Sequence, residues 1–128
     1  MNKKIKPYLW AGGVVVIFAL LFFWSRWAKT RPDRLDDLAK CLKEKGAIFY
    51  GAFWCPNCQS QKKLFGRSER FLSYVECSTP DGNNQLEICR KAGIEAYPTW
   101  TFSNGTSTVG VLLPDELAEQ AGCALPLN

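Results

Sequence analysis

Histidine is absent from all 128 residues of this chain. Histidine is the usual partner of a nucleophilic cysteine in hydrolases and the commonest metal-binding side chain. Its absence therefore excludes a Cys–His dyad, a histidine general base and any imidazole metal site. The sequence also has no internal repeat and no low-complexity segment, which excludes a repeat array. Six cysteines remain as the residues most able to carry chemistry.

The C-terminal part of the chain lacks a basic excess, although the net charge of the whole chain is +4. Residues 1–34 hold seven lysines and arginines and one aspartate, whereas residues 35–128 hold nine basic and eleven acidic side chains. A nucleic-acid-binding domain would carry its basic face on the folded part. We therefore expect no nucleic-acid partner, and the flanking positive charge suits an anionic lipid surface.

The N-terminal region contains one long apolar run, from Tyr8 to Trp24, without a charged residue. Its 17 residues would reach about 25 Å as a helix, close to the thickness of a bilayer core. No small-x-small cleavage site follows, which argues against a cleaved signal peptide, and a buried core helix would rarely be apolar on every face. The predicted organisation is a basic tail (1–7), a transmembrane anchor (8–27), a juxtamembrane linker (28–34) and a folded domain (35–128).

Cys55-Pro56-Asn57-Cys58 lies between an apolar run and a helix-like stretch. Two cysteines at this spacing, at a strand-to-helix junction, are typical of a thiol–disulfide exchange site. Cys55 would begin the helix, where the positive end of the helix dipole favours a thiolate. Cys58 would resolve the mixed disulfide, and Pro56 suits an early helical position because its missing N–H is not needed there.

The rest of the domain alternates between helical and extended patterns. Apolar periodicity and turn residues predict helices at 34–45, 55–68, 85–92 and 114–121, and strands at 47–53, 71–77, 99–102 and 106–112. The last two strands form a hairpin around Asn104-Gly105. This order predicts an α/β domain, with a central mixed sheet flanked by helices. Lys62 and Lys63 are expected on a solvated helix face.

Two segments, Phe53–Cys58 and Tyr97-Pro98-Thr99, resemble the thioredoxin-like proteins. The resemblance implies a thioredoxin-like fold in which Pro98 is cis and faces the cysteine pair. It also implies a substrate groove formed by Trp54, Pro56, Tyr97 and Pro98. Further segments point to one subfamily. They are similar to the thioredoxin-like domain that bacterial and plant vitamin K epoxide reductase homologues carry fused to them, and they comprise residues 50–59, 63–66, 74–78, 92–94 and 97–100.

That resemblance implies that the domain takes electrons from folding proteins and passes them to a membrane enzyme that reduces a quinone. The domain itself would need no cofactor and no metal. The chain departs from the family in three ways. The four-helix catalytic membrane part is absent, so we expect a stand-alone anchored protein. Asn57 stands where the family often has histidine, and Phe49 stands where cytosolic-type thioredoxins carry a buried acid.

The other four cysteines allow several pairings. Cys77 and Cys89 enclose a turn-rich segment and could be bridged, either as a structural staple or as a second redox pair; the related domains have cysteines at both positions. We expect Cys41 to be a buried thiol and Cys123 to be free or intermolecular, because the first and last helices of the domain are expected on opposite faces of the sheet. A Cys₄ zinc site formed by Cys55, Cys58, Cys77 and Cys89 is the competing interpretation.

Two functions remain in competition. The first is a membrane-anchored thiol–disulfide oxidoreductase that exchanges disulfides with dithiol proteins and with a vitamin K epoxide reductase-like membrane partner. The second is a non-catalytic accessory subunit that uses the fold for docking. Disulfide-rich small domains favour oxidising compartments, so we expect the folded domain in a periplasm or thylakoid lumen.

Overall fold

The computed structural model describes residues 6–30 and 33–125, with side chains in the first stretch described over 12–27. The chain divides into two compact units, Met1–Pro32 and Asp33–Asn128. In the first unit the structure describes one helix, α1 (Lys6–Thr30), and the large apolar side chains described within it, between Val14 and Trp27, are exposed. Among the described residues, no helix combines the length and the apolar character needed to cross a bilayer. The predicted tail and parts of the predicted anchor and linker fall outside the described side chains.

The second unit has a four-stranded mixed sheet flanked by helices. The strand order is β2-β1-β3-β4; β1 and β2 run parallel and the other two pairings are antiparallel. This arrangement fits the predicted thioredoxin-like α/β fold. Its elements in chain order are α2 (Asp36–Glu44), β1 (Ile48–Gly51), α3 (Pro56–Phe65), a 3₁₀ helix (Gly66–Phe71), β2 (Tyr74–Glu76), α4 (Glu87–Lys91), β3 (Thr99–Thr101), β4 (Ser107–Val109) and α5 (Pro114–Ala121).

Strand β1 separates two apolar clusters, because successive side chains of a strand point to opposite faces. Phe49 lies in the larger cluster with side chains from α2, α3 and α5. Its ring stacks on Trp100 of β3 at a centroid distance of 4.9 Å. Tyr50 lies in the smaller cluster with Cys77, Cys89 and Ile94. Cys58 belongs to the Phe49 cluster, so the motif helix is anchored in the main core.

The expectation for Cys41 and Cys123 is wrong, because the structure joins them in a disulfide across 82 residues. Leu38 and Leu42 of α2 share one cluster with Leu117 of α5. The first and last helices of the domain therefore lie on the same face of the sheet. Once both helices cover that face, their two cysteines come within bridging distance, with a Cα–Cα separation of 6.0 Å.

Cys77 and Cys89 form a second disulfide that closes the turn-rich segment after β2. Both side chains have no exposed surface. Thiol–disulfide exchange needs direct access of an attacking thiolate to a sulfur, so this burial favours the structural role. A disulfide sulfur is not available as a thiolate ligand. The competing zinc set is therefore not assembled in the described part of the chain.

Gln61 is a fully buried polar residue on the inner face of α3. Its amide nitrogen donates to the Leu112 carbonyl at 2.9 Å, and its amide oxygen accepts from the Leu112 backbone N–H at 2.8 Å. The same oxygen accepts from the indole N–H of Trp100 at 3.3 Å. One side chain thus ties the motif helix to β3 and to the segment before α5.

We expect Gln61→Leu to destabilise the second unit by about 3 kcal/mol, because it leaves three buried polar groups without partners. Guanidinium denaturation of the full chain measures the loss. Gln59→Leu is the matched control, since the Gln59 amide is exposed and donates to the nearby Phe53 carbonyl at 2.8 Å, and it should cost less than about 1 kcal/mol. Equal losses of stability for the two variants would contradict the conclusion that the Gln61 hydrogen bonds link α3 to β3 and to the segment before α5.

Candidate active site

The cysteine motif lies at the start of α3. Cys55 is the residue that caps the helix, with extended backbone angles, and Pro56 occupies the first turn. The backbone N–H of Cys58 donates to the sulfur of Cys55 at 3.4 Å. Both cysteines are free thiols in this structure. The helix start therefore directs a backbone donor at Cys55, which is the arrangement that stabilises negative charge on a sulfur.

The two thiols differ in access to solvent. Cys55 is 6% exposed, whereas Cys58 has no exposed surface. Burial, reinforced by a hydrogen bond to Cys55, raises the pKa of the Cys58 thiol to about 12. At neutral pH Cys58 is therefore protonated in the dithiol form. Cys55 is therefore the more accessible sulfur of the pair and Cys58 the internal one.

The segment before β3 faces the motif. The Tyr97–Pro98 peptide bond is cis, as the resemblance implied. The Pro98 side chain is fully buried, and the Cys55 thiol lies 3.8 Å from the Tyr97 carbonyl oxygen, to which it donates. The loop that carries Pro98 therefore borders the sulfur of Cys55 directly.

Trp54 forms an exposed rim beside Cys55, with 52% of its surface accessible. Its ring meets the edge of Tyr97 at a centroid distance of 6.2 Å, and its indole N–H donates to the Ser78 hydroxyl at 2.9 Å. The Tyr97 hydroxyl accepts from the Gln85 amide at 2.8 Å. A cavity of about 170 Å³ opens here, lined by Trp54, Ser78, Gly82, Asn83, Asn84, Gln85 and Tyr97.

The structure thus brings four of the predicted site residues together: Cys55, Cys58, Trp54 and Tyr97. Pro98 lies next to them but is buried, so it shapes the loop rather than a solvent-facing surface. Pro56 is exposed on the first turn of α3.

Sequence reasoning missed a group of residues behind Cys58. The expectation of a solvated face is wrong for Lys62, which is half-buried with its amine 3.8 Å from the centroid of the Tyr74 ring. Tyr74 in turn donates to the Glu76 carboxylate at 2.7 Å. The available signal was the spacing of four residues between Cys58 and Lys62, which places both on one side of a helix.

Comparison with protein-family models finds no match. Among curated proteins, the chain is similar to thiol-disulfide oxidoreductase LTO1 of Arabidopsis thaliana, with 44% identity over 93 residues. The match covers 69% of this chain and 24% of the plant protein, so the chain spans about a quarter of the length of that relative. The similarity supports the predicted thioredoxin-like oxidoreductase domain.

Proposed function

We propose that this chain is a thiol–disulfide oxidoreductase that exchanges disulfides through Cys55 and Cys58. The observation that carries the proposal is the asymmetric pair at the start of α3, in which one sulfur receives a backbone N–H and the other is wholly buried. A pair of purely structural cysteines has no need of a partly accessible member beside an exposed aromatic rim. The similarity to a curated thiol–disulfide oxidoreductase supports the same activity.

The reaction begins from the oxidised pair, Cys55–Cys58. A substrate thiolate attacks the sulfur of Cys55, the Cys55–Cys58 bond breaks, and Cys58 leaves with the bonding electrons and takes up a proton. The second substrate thiolate then attacks the substrate sulfur of the mixed disulfide, and Cys55 leaves as a thiolate. The substrate dithiol loses two electrons to the cysteine pair; its two protons pass to solvent, from which Cys58, and then Cys55 when it is protonated, take them up.

We further propose that electrons reach this pair from exported dithiol proteins and leave it for a quinone-linked membrane reductase of the vitamin K epoxide reductase kind. The sequence resemblance of residues 35–122 supports this direction of flow. The charge-free run within 8–27, flanked by basic residues, supports attachment to the bilayer. The folded domain would then face an oxidising compartment such as a periplasm or a thylakoid lumen.

A mixed-disulfide trap tests the proposal. We expect full-length Cys58→Ala to remain covalently attached to its partners, because no internal thiol is left to resolve the bond at Cys55. The variant is expressed in its native host, quenched with acid and treated to block free thiols, and the adducts are identified by mass spectrometry. A membrane reductase together with exported dithiol proteins is the expected set.

The double variant Cys55→Ser/Cys58→Ser separates this function from a docking role. An accessory subunit would still assemble with its neighbours without either thiol, whereas an oxidoreductase would lose its partners' redox response. A quantitatively free Cys55 in the Cys58→Ala protein, with normal assembly of the double variant, would reject the oxidoreductase proposal and favour docking.

A further inference from the structure

Lys62 lies behind the buried cysteine. It follows Cys58 by four residues on α3, so both side chains emerge on the same side of the helix. The Lys62 amine sits over the ring of Tyr74 on β2, 3.8 Å from the ring centroid. A cation in this position is attracted by the negative face of the aromatic ring. The ring therefore holds the amine against the sheet rather than free in solvent.

Gly51 brings the same ring close to the Cys58 sulfur. A Cβ at position 51 would lie 3.0 Å from the Cys58 sulfur and 3.0 Å from the Tyr74 Cε2 atom. Any side chain there would push the two apart. The missing side chain therefore lets the sulfur and the ring that carries Lys62 face one another across the end of β1.

The other groups around this sulfur do not supply positive charge. Burial, reinforced by the hydrogen bond to Glu76, raises the pKa of Tyr74, so its phenol stays neutral. One oxygen of Glu76 accepts from Tyr74 and the other accepts from the backbone N–H groups of Phe53 and Ser78. The Glu76 carboxylate is therefore occupied by donors and adds negative charge.

The 3₁₀ helix contributes two charged residues, Glu69 and Arg70, to a cavity of about 270 Å³ that Lys62 and Tyr74 also line. Arg70 pairs with the Asp36 carboxylate at 3.3 Å, on the α2 side. Of the two cations that line this cavity, Lys62 is the one held over the Tyr74 ring beside the Cys58 sulfur. Its charge acts on Cys58 in the direction that favours the thiolate.

A buried thiolate is needed in both directions of the exchange reaction. Cys58 leaves as a thiolate when a substrate attacks Cys55, and it must be a thiolate to resolve a mixed disulfide. Phe49, which stands where cytosolic-type thioredoxins carry a buried acid, lies in the core and offers no group that could take this proton. The fold therefore has to stabilise a charge on a sulfur that has no exposed surface.

We propose that Lys62 supplies the positive charge that stabilises the Cys58 thiolate during disulfide exchange. This role rests on the proposed function of the cysteine pair. In the resolving step the Cys58 thiolate attacks Cys55, the bond between Cys55 and the partner sulfur breaks, and the partner leaves as a thiolate. The proton lost by Cys58 passes to solvent.

The test follows the two chemical steps separately in the full-length protein with Cys55 and Cys58 reduced and the other four cysteines still bridged. One equivalent of Ellman's reagent is mixed with the protein in stopped flow across a range of pH. Attack by Cys55 releases one nitrothiobenzoate and leaves the other on Cys55; attack by Cys58 then releases the second. The second release is the step that reports the Cys58 thiolate.

We expect Lys62→Met to slow the second phase about threefold near neutral pH and to leave the first phase within about twofold. A rise of about one unit in the pKa of Cys58 lowers the thiolate population about tenfold. A more basic thiolate is also a better nucleophile, which raises the rate of each thiolate about threefold, so the net loss of rate is about threefold. In a plot of the logarithm of the second-phase rate against pH, the line for Lys62→Met should lie below that of the unmodified protein and have the same slope. Lys62→Arg should restore the rate, because it keeps the charge.

Lys63→Met is the matched control, since it removes an adjacent and exposed lysine from the same helix. It should leave both phases unchanged. A Lys62→Met protein with an unaltered second phase, or equal slowing by Lys63→Met, would overturn the role of Lys62 while leaving the exchange function intact. Release of only one nitrothiobenzoate per molecule of the unmodified protein would instead reject the exchange function itself, and the role of Lys62 with it.

Discussion

Cys55→Ser is expected to abolish disulfide exchange, lowering its rate by on the order of 10⁴-fold or more, as loss of a nucleophile does in other enzymes. A serine hydroxyl is a poor nucleophile at neutral pH and cannot form the mixed disulfide. Cys58→Ser should behave differently, because Cys55 can still attack. This protein is expected to stop after one event and to accumulate the adduct. Mass spectrometry with a defined disulfide peptide measures both results.

The two variants should differ because the two cysteines differ in exposure: Cys55 is 6% exposed, whereas Cys58 has no exposed surface and cannot meet a substrate directly. Cys77→Ala with Cys89→Ala is the control, because that pair is buried away from the motif in the smaller apolar cluster. It should retain exchange wherever the protein stays folded. If Cys55→Ser kept substantial activity and the control lost it, Cys77 and Cys89 rather than Cys55 and Cys58 would form the exchange site.

The sequence predicted the parts of the fold that depend on local pattern. The continuous apolar run of β1 and the turn residues around Asn104 predicted these strands, and the structure has them within a few residues of the expected bounds. The start of α3 was equally predictable, because Pro56 suits only the first turn of a helix. Cys55 therefore had to lie at or before the cap, where the structure places it.

The arrangement of whole helices was not predictable from such local signals. Whether α2 and α5 cover one face or two depends on how the chain crosses the sheet, and no residue within either helix encodes that choice. The bridge between Cys41 and Cys123 follows from this packing alone. A spacing of 82 residues carries no information about pairing.

Lys62 shows the same limit at the level of the site. A lysine beside another lysine on a polar helix suggests a solvated face. Its contact with Tyr74 arises from the pairing of β1 with β2, which places Tyr74 opposite Phe49. Gly51 then leaves room for the ring beside the Cys58 sulfur. The functional environment of the buried thiol therefore comes from three elements that are separate in the sequence.

Removing the long-range disulfide is expected to cost the most stability of any change outside the site. A cross-link that closes 82 residues restricts the unfolded chain far more than one that closes 12. The loop-closure relation gives about 4.5 kcal/mol for the longer bridge and about 3 kcal/mol for the shorter one. For a unit of this size, Cys41→Ala/Cys123→Ala should lower the melting temperature by roughly 20 °C or more.

Guanidinium denaturation of the double variants, each as the full chain in one detergent, measures the two losses. Cys41→Ala alone is the control for packing, because it breaks the same cross-link while keeping the Cys123 side chain, and it should lose nearly as much as the pair.

Cys41 and Cys123 are both partly exposed, whereas Cys77 and Cys89 are fully buried. Mild reductant should therefore open the longer bridge first and reproduce the same loss in the unmodified chain. A smaller loss for the longer bridge than for the shorter one would mean that buried packing around Cys77 and Cys89, rather than chain entropy, dominates their contribution.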